Sequence, residues 1–239
     1  MRSRTSALTP SENDTAEPLG PSDDAESGLL VYMVESPSAD DFYYRQWQGQ
    51  GLSELLKLAG IGTEHRFVID KGLFRRALSV DTVKALSNDG RRFPVVHITA
   101  HGDDAGLDFT NGDSLTWREL RDVLLPLNNL LSGDLVVCMS SCKGWNACKT
   151  AMALGRQPYF LLVGSTENVS WSESSVGFVT FYHQFASGVH PRDMVAAMKT
   201  ASQHAHFAYA SGKRVRAAHV EDLVNRVVRQ AIPGHRDDC

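Results

Sequence analysis

The 239 residues predict an α/β fold, a three-layer sandwich with a mainly parallel central sheet, on three observations. Short apolar runs of strand length alternate with helical patterns along most of the chain. Those runs lack polar alternation, as strands do when helices cover both faces of a sheet. The length suits one domain of about 200 residues, large enough to bury a substantial core.

The elements follow in order. Leu29–Val34 (LLVYMV) is the first strand, and a helix around Leu52–Ala59 stops at Gly60. His65–Ile69 is the second strand. Phe74–Leu86 reads as one helix, ending at the Asn88-Asp89-Gly90 turn. Pro94–Thr99 (PVVHIT) is the third strand, its proline suited to a first strand position. Gly106–Thr116 reads as a small hairpin turning at Asn111-Gly112. Thr116–Leu125 is an amphipathic helix opened by a Thr116/Glu119 capping box, and Pro126 is expected to end or kink it. Asp134–Met139 (DLVVCM) is the fourth strand, Trp145–Leu154 a helix ending at Gly155, and Tyr159–Val163 (YFLLV) the fifth strand. Helices are predicted over Ser174–Ala186, Pro191–Tyr209 and His219–Ala231.

Composition narrows the function. With 42% hydrophobic and 22% charged residues, the chain is neither collagen-like nor low-complexity. No apolar run approaches the ~20 residues that span a bilayer, so no membrane partner is expected. A formal net charge of -4 argues against a nucleic-acid partner. Residues 1–28 hold Arg2 and Arg4 against Glu12, Asp14, Glu17, Asp23, Asp24 and Glu26, with almost no large apolar group. They read as a disordered acidic tail without the apolar core of a secretory signal. The domain organisation expected is therefore this tail, a folded domain over 29–232 and a flexible C-terminus over 233–239. Three of the four cysteines lie within eleven residues (Cys138, Cys142, Cys148) and the fourth is the last residue. That is no disulfide framework, and a cytoplasmic, reducing compartment is expected, where clustered cysteines are catalytic or metal-binding.

Chemistry belongs past the carboxyl ends of the strands. Two segments qualify. His101 leaves the third strand beside Gly102, whose small size lets a substrate backbone approach. Cys142 leaves the fourth strand in the loop Ser140-Ser141-Cys142-Lys143-Gly144, which opens a helix whose dipole favours a thiolate. A thiolate that transfers an acyl group needs a proton partner, and histidine is the usual one. Cys138 inside its strand, Cys148 inside its helix and His97 inside the third strand read as core residues. A zinc site from Cys138, Cys142, Cys148 and a histidine has the wrong spacings, CxxxC and Cx5C. No metal and no cofactor is expected.

Four stretches carry a resemblance: VVHITAHG, GLDFTNGDSLTWREL, DLVVCMSSCKG and YFLLVGSTENVSW. Together, over roughly residues 93–202, they resemble the caspase-like (clan CD) cysteine peptidases, in particular the bacterial CHAT-type branch. The resemblance implies a caspase-like fold, His101 as catalytic histidine and Cys142 as nucleophile, acting as a dyad without a third side chain. It implies an oxyanion hole from the N–H groups of Gly102 and Cys142, and Ser140 in the first specificity pocket. Glu167 and Glu173 are candidates for substrate-binding charge, and Trp171 for a wall of the cleft. The caspase pentapeptide is replaced by Ser-Ser-Cys-Lys-Gly, which argues against specificity for aspartate. About sixteen residues separate Cys142 from the fifth strand, too few for a long cleavable linker, so a single-chain enzyme is expected. A protein substrate, an activating protein partner or upstream protease, and a setting in antiviral defence or regulated cell death are what such relatives imply. Two alternatives are a catalytically inactive caspase-like interaction module and a flavodoxin-like domain. The second lacks a phosphate-cradling glycine loop, since Glu35-Ser36-Pro37-Ser38 follows the first strand.

Overall fold

A computed structural model of the chain describes residues 28–87 and 90–231, with side chains of the final helix described as far as residue 226. The expected acidic tail up to residue 27, the Asn88-Asp89 pair of the predicted turn and the C-terminal residues 232–239 lie outside the described residues. The order of elements is β1 (Gly28–Ser36), α1 (Ala39–Tyr43), α2 (Gln48–Leu58), β2 (Gly62–Phe67), α3 (Lys71–Ala77), α4 (Val80–Leu86) and β3 (Arg92–Gly102). Then come β4 (Gly106–Asp108), β5 (Ser114–Thr116), α5 (Trp117–Leu130), β6 (Val136–Ser140), a 3-10 helix (Gly144–Ala151) and β7 (Leu161–Ser165). The chain continues through α6 (Trp171–Ala186), α7 (Pro191–Ser202), β8 (Phe207–Ser211) and α8 (Gly212–Ala231).

The sheet runs β2-β1-β3-β6-β7-β8. Its first five strands are mutually parallel and β8 is antiparallel to β7. Alternating side chains along each strand feed two apolar layers. On one face Tyr32, Val34, Val96, Ile98, Val137 and Met139 pack with Phe74, Leu120, Leu124 and Leu127 of α3 and α5. On the other, Val31, Met33, Val95, Cys138 and Val163 pack under Leu52, Leu56, Phe178, Phe181 and Met194 of α2, α6 and α7. The fold is therefore the expected three-layer sandwich with a mainly parallel sheet.

Four local readings need correction. The helix read over Phe74–Leu86 is two helices, because Ser79 adopts an extended conformation and its hydroxyl accepts from Thr82 N–H, capping a fresh helix. Pro126 does not stop α5, which continues to Leu130. The bond it forfeits is to the Asp122 carbonyl; both residues lie on the solvent side, while Leu124 and Leu127 anchor the buried stripe. The segment after Cys142 is a 3-10 helix that ends at Ala151, short of the expected Leu154. The helix read over Pro191–Tyr209 ends at Ser202, where Gln203 turns left-handed (φ 57°), and Phe207–Ser211 forms the edge strand β8. Capping-box geometry at Thr116/Glu119 and the hairpin about Asn111-Gly112, with Gly112 at φ 87°, are as read. No helix among the described residues is long and apolar enough to cross a membrane.

Candidate active site

Strand register decides what meets at the carboxyl edge of the sheet. Thr99 of β3 lies opposite Ser140 of β6. His101, still on β3, and Cys142, in the turn after β6, are each two residues further along the chain. β3 does not end at Thr99 as read from sequence. It carries His101 and Gly102 onward into antiparallel pairing with β4, His101 opposite Asp108 and Gly102 opposite Leu107. Asp103 N–H donates to the Gly106 carbonyl at 3.1 Å, which makes that the bonded pair of the ladder. In an antiparallel ladder bonded and non-bonded pairs alternate, so Gly102 turns its N–H away from β4.

The turn after β6 lies against this glycine. A methyl group on Gly102 would stand 3.2 Å from the Cys142 carbonyl oxygen and 3.4 Å from the Ser141 hydroxyl. The Cys142 turn is itself tightly held. Lys143 is left-handed (φ 53°), its N–H donates to the Glu167 carbonyl at 3.1 Å, and Gly144 N–H returns to the Ser141 carbonyl at 3.0 Å. Gly144 packs so closely on the end of β6 that a methyl there would lie 2.8 Å from the Met139 carbonyl oxygen. The Cys142 thiol, partly exposed, donates to the Val169 carbonyl at 3.8 Å. Two residues on, Trp171 stands edge-on to the His101 ring with 6.0 Å between centroids. Pairwise contacts thus link Gly102 to the Cys142 turn and His101 to Trp171 at the carboxyl edge of the sheet, and the imidazole, 48% exposed, opens to solvent.

A residue the sequence did not single out completes this group. His101 Nε2–H donates to Asp41 Oδ2 at 2.8 Å. Asp41 belongs to α1, a five-residue helix none of whose residues is buried. The same oxygen accepts the Ser38 hydroxyl at 2.6 Å and the Ser38 N–H at 3.3 Å, the latter closing a capping box with the Asp41 N–H, which donates to Ser38 Oγ at 3.0 Å. Burial pushes the Asp41 carboxyl upward, but the hydrogen bonds from Ser38 and His101 and the charge of His101 outweigh it and hold the group below its ordinary value. The signal for it was present as Ser38-x-x-Asp41, a capping pattern immediately past the first strand.

The remaining sequence candidates separate. Ser140 is buried beneath the turn, donating to Gln48 Oε1 and bonded to the Ser174 hydroxyl at 2.6 Å. Glu173 is engaged as a cap: Oε2 accepts the Ser170 hydroxyl at 2.7 Å and the Ser170 N–H at 2.9 Å, while Oε1 lies 3.7 Å from His204. Those Ser170 bonds hold its carboxyl below the ordinary value. The Glu167 side chain is exposed, and its contribution to the turn is its backbone carbonyl. In the turn after β3, Asp104 is gripped by residues that follow Cys142. Its Oδ1 accepts from Asn146 at 3.0 Å and lies 3.6 Å from Lys143 Nζ, and its carbonyl accepts Lys149 Nζ at 2.8 Å.

Among the described residues, the other cysteines cannot join Cys142. Cys138 sits in the core layer under α6 and Cys148 in the layer on the opposite face of the sheet. That removes the zinc site weighed from sequence. Burial also pushes the Cys138 thiol up to about 12 and the Cys148 thiol up to about 11, so neither supplies a thiolate near neutral pH. His97 is enclosed between Phe178 and the Tyr182 hydroxyl, and burial lowers it to about 3. No group of three or more His, Cys, Asp or Glu side chains comes together as a metal site among the described residues. A cleft of about 610 Å³ lined by Lys57, Arg91 and Arg92 lies at the opposite, amino-terminal ends of β1, β2 and β3.

This sheet order, with an antiparallel last strand and the two turns at its carboxyl edge, is a caspase-like α/β architecture. The crystal structure of the Drosophila initiator caspase Dronc superposes on 85% of this chain and 89% of that one, with a TM-score of 0.50 at 9% sequence identity. At that identity the likeness is one of fold. No protein-family model matches the sequence. No curated protein matches it either.

Proposed function

We propose that this chain is a cysteine endopeptidase that hydrolyses a protein partner, with Cys142 as nucleophile and His101 as acid and base. The observation that supports this best is the approach of the two turns, with Gly102 against the Cys142 carbonyl at 3.2 Å from a would-be methyl and both turns bordered by Val169–Trp171.

Cys142 Sγ attacks the scissile carbonyl carbon, and the oxygen that becomes negative is received by the N–H groups of Gly102 and Cys142. One such donor is worth about 10²–10³ in rate. The C–N bond breaks as His101 passes a proton to the departing amine, leaving a thioester on Cys142. His101 then takes a proton from water, whose oxygen displaces the sulfur to release the acid. Asp41 is a positioning residue: its carboxylate holds His101 Nε2–H and so fixes which ring nitrogen faces the groove. Trp171 supplies a wall for the substrate and Glu167 the rim, while Ser140 lies in the floor. Glu173 acts on the start of α6 and does not touch substrate.

Within the caspase-like fold we place the chain in the bacterial CHAT-type branch, its domain spanning 29–232, acting in the cytoplasm in antiviral defence or regulated cell death. The short link between Cys142 and β7, filled by the 3-10 helix, favours a single-chain enzyme switched by a partner protein or an upstream protease. Cys142→Ala and His101→Ala are each expected to lower cleavage of a protein or peptide substrate by at least ~10²-fold. Retained cleavage in either variant refutes the dyad. Selective labelling of Cys142 by a peptide electrophile separates this reading from an inactive interaction module, which would not label there.

A further inference from the structure

Directly below the Cys142 turn, the sheet face under α2 and α6 changes character. Along that face Met33 and Cys138 are core residues. One step nearer the groove, Glu35, Thr99 and Ser140 stand side by side in register, each 1% exposed. Helix α2 adds Gln48, 4% exposed, and α6 adds Ser174, 1% exposed. A row of buried polar groups at one edge of an apolar layer requires partners for each of its atoms.

The hydrogens can be followed through the row. Ser140 gives its single hydroxyl hydrogen to Gln48 Oε1. The bond between Ser140 and Ser174, 2.6 Å long, therefore has Ser174 as donor. The chain ends at Gln48, whose Nε2 keeps two hydrogens without an acceptor, and Thr99 Oγ1 likewise has no partner. Gln48 is fixed in place from behind. Its backbone N–H donates to Glu35 Oε1 at 2.7 Å, while Gly49 N–H and His65 Nε2 claim Glu35 Oε2 at 3.0 and 2.8 Å. A buried donor without an acceptor is costly, and of these two orphans Thr99 lies in the strand row from which Cys142 emerges while Gln48 faces that row through its bond to Ser140.

We propose that Gln48 and Thr99 read the substrate side chain that precedes the scissile bond, and that they select an uncharged amide, glutamine or asparagine. The proposal rests on the peptidase reading and names its substrate class. An amide oxygen takes a hydrogen from Gln48 Nε2, and an amide nitrogen gives one to Thr99 Oγ1, so both orphans are satisfied together. A carboxylate side chain would enter beside the acid group of Glu35 and is disfavoured by like charge. A lysine or arginine finds no unclaimed carboxylate in the floor, since Glu35 is held by α2 and His65, and Glu173 by Ser170 and His204.

The test uses the full chain with two readouts. One is kcat/KM on fluorogenic peptides that differ only in the residue before the scissile bond (Gln, Asn, Asp, Lys, Leu). The other is the rate at which peptidyl acyloxymethyl ketones with the same residues label Cys142, followed by intact mass. Gln or Asn should exceed Asp and Lys by at least ~10-fold in both. Gln48→Leu should erase that preference in both readouts, and Gln48→Glu should shift the optimum to Lys or Arg. An optimum at Asp or Lys in the unaltered protein, or a preference unmoved by both Gln48 variants, overturns the subsite and leaves the peptidase reading standing. Amide-selective labelling without peptide cleavage supports the subsite and overturns hydrolysis. Failure of every peptide and every ketone overturns both.

Discussion

Replacing Asp41 probes how much the His101 contact contributes. Three donors reach its Oδ2: His101 Nε2–H at 2.8 Å, the Ser38 hydroxyl at 2.6 Å and Ser38 N–H at 3.3 Å. Asp41→Asn can keep an acceptor oxygen in that place while removing the charge and turning the other carboxylate oxygen into an NH2 group. The His101 side chain is 48% exposed and that of Asp41 17%, so solvent screens the pair and the lost attraction is about 1 kcal/mol. That corresponds to a ~5-fold lower kcat/KM. Asp41→Ala also frees the ring to rotate, and the loss grows to about 2 kcal/mol, or ~30-fold. Because Asp41 acts through His101, the decline should fall on kcat with KM nearly unchanged. Steady-state cleavage of one peptide by the three proteins, alongside their melting temperatures, measures this. If Asp41→Ala keeps kcat within about twofold, the positioning role is wrong. If its kcat falls only in proportion to a loss of folded protein, Asp41 serves the fold of α1 alone.

Three further outcomes follow from geometry already described. Gly102→Ala brings a methyl to 3.2 Å from the Cys142 carbonyl, so kcat/KM should drop by at least ~10-fold while the melting temperature changes little; an unimpaired variant would refute the close approach. Pro126→Ala restores an N–H to the Asp122 carbonyl on an exposed helix face, and the melting temperature should rise by about 2–4 °C, a fall being contrary to the reading of α5. The Asp41 and Glu173 carboxyls are both held below their ordinary values of 3.8 and 4.5, so their stabilising contribution is complete above that range and is lost as the pH falls through the lowered folded values. Thermal unfolding should therefore show no loss from these groups between pH 7 and 5 and a decline below about pH 4, and Glu173→Gln should make that acid decline shallower.

Periodicity suffices for what local rules govern. Unbroken apolar runs such as LLVYMV and PVVHIT announce strands covered on both faces, and the Thr116/Glu119 spacing announces a helix start. It fails where long-range contacts override local preference. Phe207–Ser211 follows a helical pattern without a strand-like one, and becomes a strand because β7 offers it an open edge. Pro126 stays helical because Leu124 and Leu127 are bound to the core. For the candidate site, His101, Gly102, Cys142 and Trp171 were legible because each ends or follows a strand. The Ser38-x-x-Asp41 spacing marks only the start of α1; that Asp41 meets His101, and that Gln48 meets Ser140, depends on α1 and α2 folding back over the sheet edge, and no spacing along the chain encodes distance across it. Glu173 carries a further local signal, its three-residue separation from Ser170, which marks the capping box that opens α6.

The grip of Asn146, Lys149 and Lys143 on Asp104 has a mechanical consequence. Asp104 sits at the tip of the turn leading into the β4–β5 hairpin, and its three captors follow Cys142, so the hairpin and the segment bearing the sulfur are stitched into one body. Because β4 of that hairpin is also paired with His101 and Gly102 of β3, a pull on the hairpin is felt by both turns at once. Load applied several residues away is thereby shared between them, and the approach of Gly102 to the Cys142 carbonyl travels with the hairpin as a unit.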